Sequence, residues 1–222
     1  PSPYHAVAES IRRLEAAGYA ELDSASSWRL SPGDRAYVVT QGSTVVAFEV
    51  GTSSPVEAGF SIVGAHTDSP ALKVKPLPQL RKQGYLQLGV EVYGGALLST
   101  WLDRDLSLAG RVIVRAQSGG LSSRLVRIRR PIGRIPNLAI HLQRNVNQDG
   151  VKLNPQEHMT PVIGLALPSP TEAKENPAGG SSGSDRNFFK ALLARELSVE
   201  EESVLDHDLV FFDVQPGTLG GV

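Results

Sequence analysis

The segment Val63-Gly64-Ala65-His66-Thr67-Asp68-Ser69-Pro70 places an imidazole and a carboxylate two residues apart, at the end of an apolar run. In an extended chain His66 and Asp68 share one face. Asp68 can then accept from one ring nitrogen, fixing the tautomer and leaving the other nitrogen to a metal. Gly64 and Ala65 remove bulk beside the pair. His66 is expected where a buried strand ends, the edge at which open α/β sheets place their sites. The same pair also suits a strand-end histidine followed by an Asp turn cap, and the spacing alone leaves both open. His141 closes a second apolar run, Asn137-Leu138-Ala139-Ile140-His141-Leu142, and taken alone reads as structural. Asp206-His207-Asp208 reads as a solvated strand start and Asp103-Arg104-Asp105 as a salt-bridged turn, while His5 and His158 read as structural. Arg124, Arg127, Arg129, Arg130 and Arg134 crowd eleven residues, but Val126 and Ile128 alternate with them and no aromatic is interleaved for base stacking. That pattern is a wet strand face or a subunit contact, not a nucleic-acid surface.

Other chemistries lose their support on composition. The 222 residues contain no cysteine, which excludes a disulfide scaffold, iron–sulfur clusters, thiolate zinc and a Cys nucleophile. A transition metal would have to be held by His, Asp and Glu. There is no phosphate-loop pattern, no G-x-S-x-G elbow, no H-E-x-x-H and no G-x-G-x-x-G after a strand. A formal charge of −1, from 22 Lys and Arg against 23 Asp and Glu, argues against a broad polyanion or anionic-membrane surface. No apolar run approaches a membrane span, and the start lacks a charged and then apolar leader. A soluble, cytoplasmic chain is expected, with no nucleic-acid and no membrane partner. Because it starts without Met, its natural N-terminus is expected to lie further upstream.

The elements that must position these residues fall into two groups. A helix is expected from a Ser2 cap and Pro3 to Gly18, with Val7, Ile11 and Leu14 on one stripe. Strands are expected at Ala36–Gln41, Thr44–Val50 and Gly59–His66, the first two as a hairpin and the third apolar enough to be buried on both faces. After Pro76-Leu77-Pro78, short β runs at Tyr85–Tyr93, Asp105–Ala116 and Leu121–Ile128 suggest an antiparallel meander or small barrel. Pro168–Ser184 reads as a loop, Asp185–Leu197 as an amphipathic helix, Ser198 with Glu201 as the capping box of a further short helix, and Asp208–Val214 as a last strand. Ending soon after that strand, the chain is expected to be a fragment of a longer one.

Several runs carry a resemblance that spacing does not. Ser2-Pro3-Tyr4-His5-Ala6-Val7-Ala8-Glu9, Gly64-Ala65-His66-Thr67-Asp68-Ser69-Pro70 and Ser99-Thr100-Trp101-Leu102-Asp103-Arg104-Asp105-Leu106 are similar to segments of the aspartyl aminopeptidases. So are Leu108-Ala109-Gly110-Arg111-Val112-Ile113-Val114, residues 135–144 and residues 213–221, all in the family's order. The resemblance implies an α/β fold, a zinc-exopeptidase catalytic domain interrupted by a β-rich dimerisation domain. Residues 1–76 would be the first catalytic segment, 77–205 the dimerisation domain, and 206–222 the strand returning to the truncated catalytic domain. It further implies two zinc ions per complete site, with His66 as the first metal ligand and Asp68 as the catalytic partner of its ring. His141 would reach the metal or substrate region of a neighbouring subunit. The activity implied is metal-assisted hydrolysis releasing an N-terminal Asp or Glu from peptides, in a homo-oligomer built of dimers up to a dodecamer. Ala71 stands where the family often has Cys. The remaining ligands, the catalytic Glu and the basic residue that reads the acidic side chain would all lie beyond Val222. A non-catalytic oligomerisation or peptide-binding module of the same fold is the other reading.

Overall fold

The structure is a computed structural model that describes residues 1–116, 118–166 and 188–221. It divides into two compact units, residues 1–69 and 70–222.

In the first unit, α1 (Pro3–Ala16) starts at Ser2, whose hydroxyl accepts from the His5 amide, with Pro3 in the first turn. A short β1 (Ala20–Glu21) runs parallel to β2 (Arg35–Thr40), which pairs antiparallel with β3 (Thr44–Glu49) in the order β1-β2-β3. The expected hairpin is present, from Arg35↔Glu49 to Thr40↔Thr44. Tyr37, Val7 and Tyr4 are buried, and the Tyr37 hydroxyl donates to Glu15 of α1 at 3.0 Å. A four-residue helix, α2 (Pro55–Ala58), follows.

The expected strand Gly59–His66 does not form. The chain has no regular structure there, and Phe60, Ile62 and Val63 are 80%, 85% and 98% exposed. Apolar content is a demand for cover, but a strand also needs neighbours to take its N–H and C=O groups. Among the described residues no strand pairs with this run.

The second unit is a six-stranded antiparallel sheet in the order β7-β6-β9-β4-β5-β8. Its strands are β4 (Ala71–Lys82), β5 (Tyr85–Tyr93), β6 (Leu106–Arg115), β7 (Leu121–Arg127), β8 (Val162–Leu165) and β9 (Val204–Asp213). It is not a sequential meander, because β9 inserts between β6 and β4. Residues 206–213 therefore pair within this sheet, with β6 from Leu106↔Asp213 to Val114↔Val204 and with β4 at Leu72↔Phe211. Side-chain alternation then sorts the sheet: Leu72, Phe211 and Leu108 lie in one buried row, and Lys73, Val210 and Ala109 in the adjacent row on the other face. The core joins the buried rows to Met159 and to Phe189, Leu193 and Ala194. Those last three belong to a ten-residue helix, Phe188–Leu197.

β4 was not expected, since Pro76 and Pro78 argue against a central strand. The sheet accommodates them in a bulge: pairing with β5 passes from Val74↔Val90 to Gln79↔Leu88, so residues 75–78 stand outside the ladder where no N–H is required. His207 covers this irregularity, its Nε2 donating to the Lys75 carbonyl at 3.2 Å and its ring lying edge-on to Phe189 at 5.0 Å. The expected short helix follows as a 3-10 turn, Glu201–Ser203, but Ser198 does not cap it. Ser198 takes a left-handed φ of 53° and closes the preceding helix, with Val199 N donating to Ala194 O. The expected loop at 168–184, and the first residues of the expected helix from Asp185, lie outside the described residues. Among the described residues no helix is long and apolar enough to cross a membrane.

Candidate metal-ligand site

His66 sits at the end of the unpaired apolar run in the first unit, with its side chain 79% exposed. The chain bends at Thr67, so the imidazole folds back on its own loop. Nδ1 lies 2.7 Å from the Asp68 main-chain oxygen and 3.4 Å from Asp68 Oδ1. A carbonyl only accepts, so this bond requires Nδ1–H and leaves the Nε2 lone pair available. The nearer partner is thus the main chain, with the carboxylate just beyond it. Nothing in the sequence pattern singles out Thr67, yet its hydroxyl donates to the Ser43 carbonyl at 2.8 Å, tying the bend to the β2–β3 turn. The residue type and its place between His66 and Asp68 were the only available signal.

His141 belongs to the second unit. It lies in a single 3-10 turn, Ile140–Leu142, and is exposed, as are Leu138 and Leu142. The base of that segment is anchored: Ile135 is buried and bridges Leu102, and the Asp103 carboxylate accepts from the Asn137 amide at 3.1 Å. Beyond this anchor the chain carries His141 outward on a short apolar rim.

The remaining polar clusters are structural. Asp103-Arg104-Asp105 is a salt-bridged turn, with Arg104 on Asp213 at 2.9 Å and Asp105 holding Arg134 at 2.6 Å. Asp208 pairs with Lys73 at 3.0 Å. Of the arginine run, Arg127 lies over the Phe212 ring at 5.7 Å and Arg130 pairs with Glu196. His158 Nδ1 accepts from the Asn154 amide and His5 Nδ1 contacts the Ser2 hydroxyl. Lys75 and Gln156 converge on Glu91 at 2.9 and 2.7 Å, and their hydrogen bonds, Gln156 foremost, hold the Glu91 carboxyl below its ordinary value.

As a single ligand His66 fits a zinc centre, with one nitrogen tied and the other free. A catalytic zinc takes at least three protein ligands. Among the described residues no group of three or more His, Asp or Glu could hold a metal ion. The described residues therefore bring together no complete metal centre.

Comparison with known proteins agrees with the local signatures. Residues 1–222 match the family described as aminopeptidase I zinc metalloprotease (M18). A probable M18 family aminopeptidase 2 of Pseudomonas entomophila is 47% identical over 226 residues, covering all of this chain and 49% of that protein. The Pseudomonas aeruginosa PAO1 protein of the same name is also 47% identical, again over 49% of its length. The chain thus spans about half the length of the curated relatives it matches. Among solved structures, Chaetomium thermophilum mApe1 is matched with a TM-score of 0.84 at 35% identity, over the whole of this chain and 50% of that one. The S. cerevesiae mApe1 dodecamer is matched with a TM-score of 0.76 at 29% identity, over 47% of its chain. The mixed α/β fold is therefore that of M18 aminopeptidases over about half their length, and the chain belongs to the M18 family of zinc aminopeptidases.

Proposed function

We propose that this chain forms one half of a zinc-dependent aminopeptidase that removes N-terminal Asp or Glu from peptides in the cytoplasm. The observation that carries this reading is the His66 arrangement: Nδ1 bonded within its own loop, which leaves the Nε2 lone pair to a metal, in a family of zinc metalloproteases. His66 serves as a metal ligand of a two-zinc site, and Asp68 orients and polarises its ring. Residues 1–76 open the catalytic domain and 77–205 form the oligomerisation domain, whose sheet also takes in residues 71–76 and 206–213, so that the return to the catalytic domain follows β9. His141, on its anchored and exposed turn, reaches the metal or substrate region of a neighbouring subunit. A dodecameric relative supports assembly into a homo-oligomer of dimers. The isolated 222 residues are inactive, since the described part offers no three-ligand cluster. That same observation favours a second reading, a non-catalytic oligomerisation or peptide-binding module.

The test is hydrolysis of peptides beginning with Asp, Glu or Leu by a polypeptide of the relatives' full length that carries residues 1–222. Release of the acidic residues, abolished by exhaustive chelation and restored by zinc, is expected. Activity that survives complete metal removal refutes the zinc reading, and equal cleavage of the Leu peptide refutes the acidic preference. A purified oligomer with neither bound zinc nor activity establishes the module instead.

A further inference from the structure

We propose that Thr67 is a positioning residue that sets where the His66 imidazole points, by locking the His66–Asp68 bend to the β2–β3 turn. The inference rests on the reading of His66 as a zinc ligand. The bond from His66 Nδ1 to the Asp68 carbonyl spans only two residues, so it orients the ring within the bend but not against the rest of the unit. Among the described residues no strand pairs with the preceding run, 59–66. Thr67 and Asp68 are the half-buried residues where this segment meets the unit, and the Thr67 hydroxyl bond reaches back 24 residues to Ser43.

The receiving end is rigid. The turn is built on two left-handed residues, Gln41 at φ 55° and Gly42 at φ 71°, and is closed by Ser43 N donating to Thr40 O at 3.2 Å. It is seated on α1: a Cβ placed at Gly42 would stand 3.8 Å from Tyr4 Cδ1, and Tyr4 is buried. The line of support therefore runs from the capped start of α1 through Tyr4, the turn and Thr67 to the imidazole. A ligand left free to swing must be ordered when the metal binds, which weakens affinity without altering the ligand itself.

Zinc affinity is measured by competition with a chromogenic chelator in the full-length polypeptide carrying residues 1–222, for wild type, His66→Ala, Thr67→Val and Thr67→Ser. Loss of one neutral hydrogen bond corresponds to an affinity about fivefold weaker in Thr67→Val, with Thr67→Ser restored to within about twofold of wild type. NMR relaxation of the His66 ring in the metal-free protein, a readout that needs no zinc, is expected to show a more mobile ring in Thr67→Val and a wild-type ring in Thr67→Ser. Wild-type zinc affinity and ring order in Thr67→Val overturn the proposal. Thr67→Ala, which adds no methyl against the turn, serves in the same way if the valine variant does not fold. If His66→Ala retains zinc, the ligand reading itself has failed, and the ring relaxation still decides whether Thr67 holds the bend.

Discussion

Replacing Gly110 with alanine tests whether the second unit depends on the close approach of β6 and β9. Gly110 pairs with Leu209 in the middle of that ladder, with φ at 154°. A Cβ there would stand 2.1 Å from the Asp208 carbonyl oxygen and 2.9 Å from Leu209 Cα. The nearer separation falls roughly 1.4 Å or more short of ordinary contact. Both obstacles are backbone, so no side-chain rotation relieves them and the strands must part locally. Losing one or two ladder bonds at about 1 kcal/mol each, with about 1–3 kcal/mol of backbone strain, amounts to about 2–5 kcal/mol. Gly120 is the control: it also has positive φ, 82°, but an added Cβ meets nothing within 4 Å. Its alanine variant is expected to cost about 1 kcal/mol, the conformational penalty alone. The chain has two tryptophans, Trp28 in the first unit and Trp101, packed against the core, in the second. In a Trp28→Phe background, urea unfolding followed by fluorescence therefore reports on the second unit. The midpoint for Gly110→Ala should fall by about 2 M, against well under 1 M for Gly120→Ala. Equal shifts for the two variants, at unchanged m, would refute the close-approach argument.

Three further outcomes are expected. His141→Ala in the full-length polypeptide should lower kcat/KM by about tenfold or more, while its exposure keeps the melting temperature within the range of surface substitutions; an unchanged rate with intact assembly returns His141 to a structural role. Met159 is fully buried in the core of the second unit, so Met159→Ala should destabilise it by about 2–5 kcal/mol in the same fluorescence assay. Because the Glu91 carboxyl is held low by Gln156 and Lys75, its contribution is present above the ordinary carboxyl value and lost as pH falls through it toward the lowered one. The stability difference between wild type and Glu91→Gln should narrow on acidification below about pH 4.5, and a gap that widens would reverse the assignment.

The contact between His66 and Asp68 was readable in the sequence because it is local. His66 and Asp68 are two residues apart, so their partnership is short-range, and the bend at Thr67 changes only which Asp68 oxygen is nearer. The tie from Thr67 to Ser43 was not readable, because it joins residues 24 apart whose meeting depends on how a turn seats on a helix. Local capping chemistry was likewise clear at Ser2, where a polar side chain stands directly before a proline-led helix. It misled at Ser198, where the spacing to Glu201 imitated a capping box but the preceding helix needed that residue to close its last carbonyls.

Alternation, turn residues and caps depend on neighbours a few positions away, and so α1, the β2–β3 hairpin and the strands at 85–93, 106–115 and 121–127 follow from the sequence alone. So do the lack of cysteine in these 222 residues and the family signatures around His66, Trp101 and Gly110. Strand order, by contrast, is a contest among distant segments. Only the folded sheet decided that β9 enters between β6 and β4, that a bulge lets β4 pass through Pro76 and Pro78, and that the apolar run 59–66 goes unpaired among the described residues. The physical reason is that a strand's hydrogen bonds belong to its neighbours: composition states how much burial a segment requires, but only tertiary structure supplies the partners that provide it.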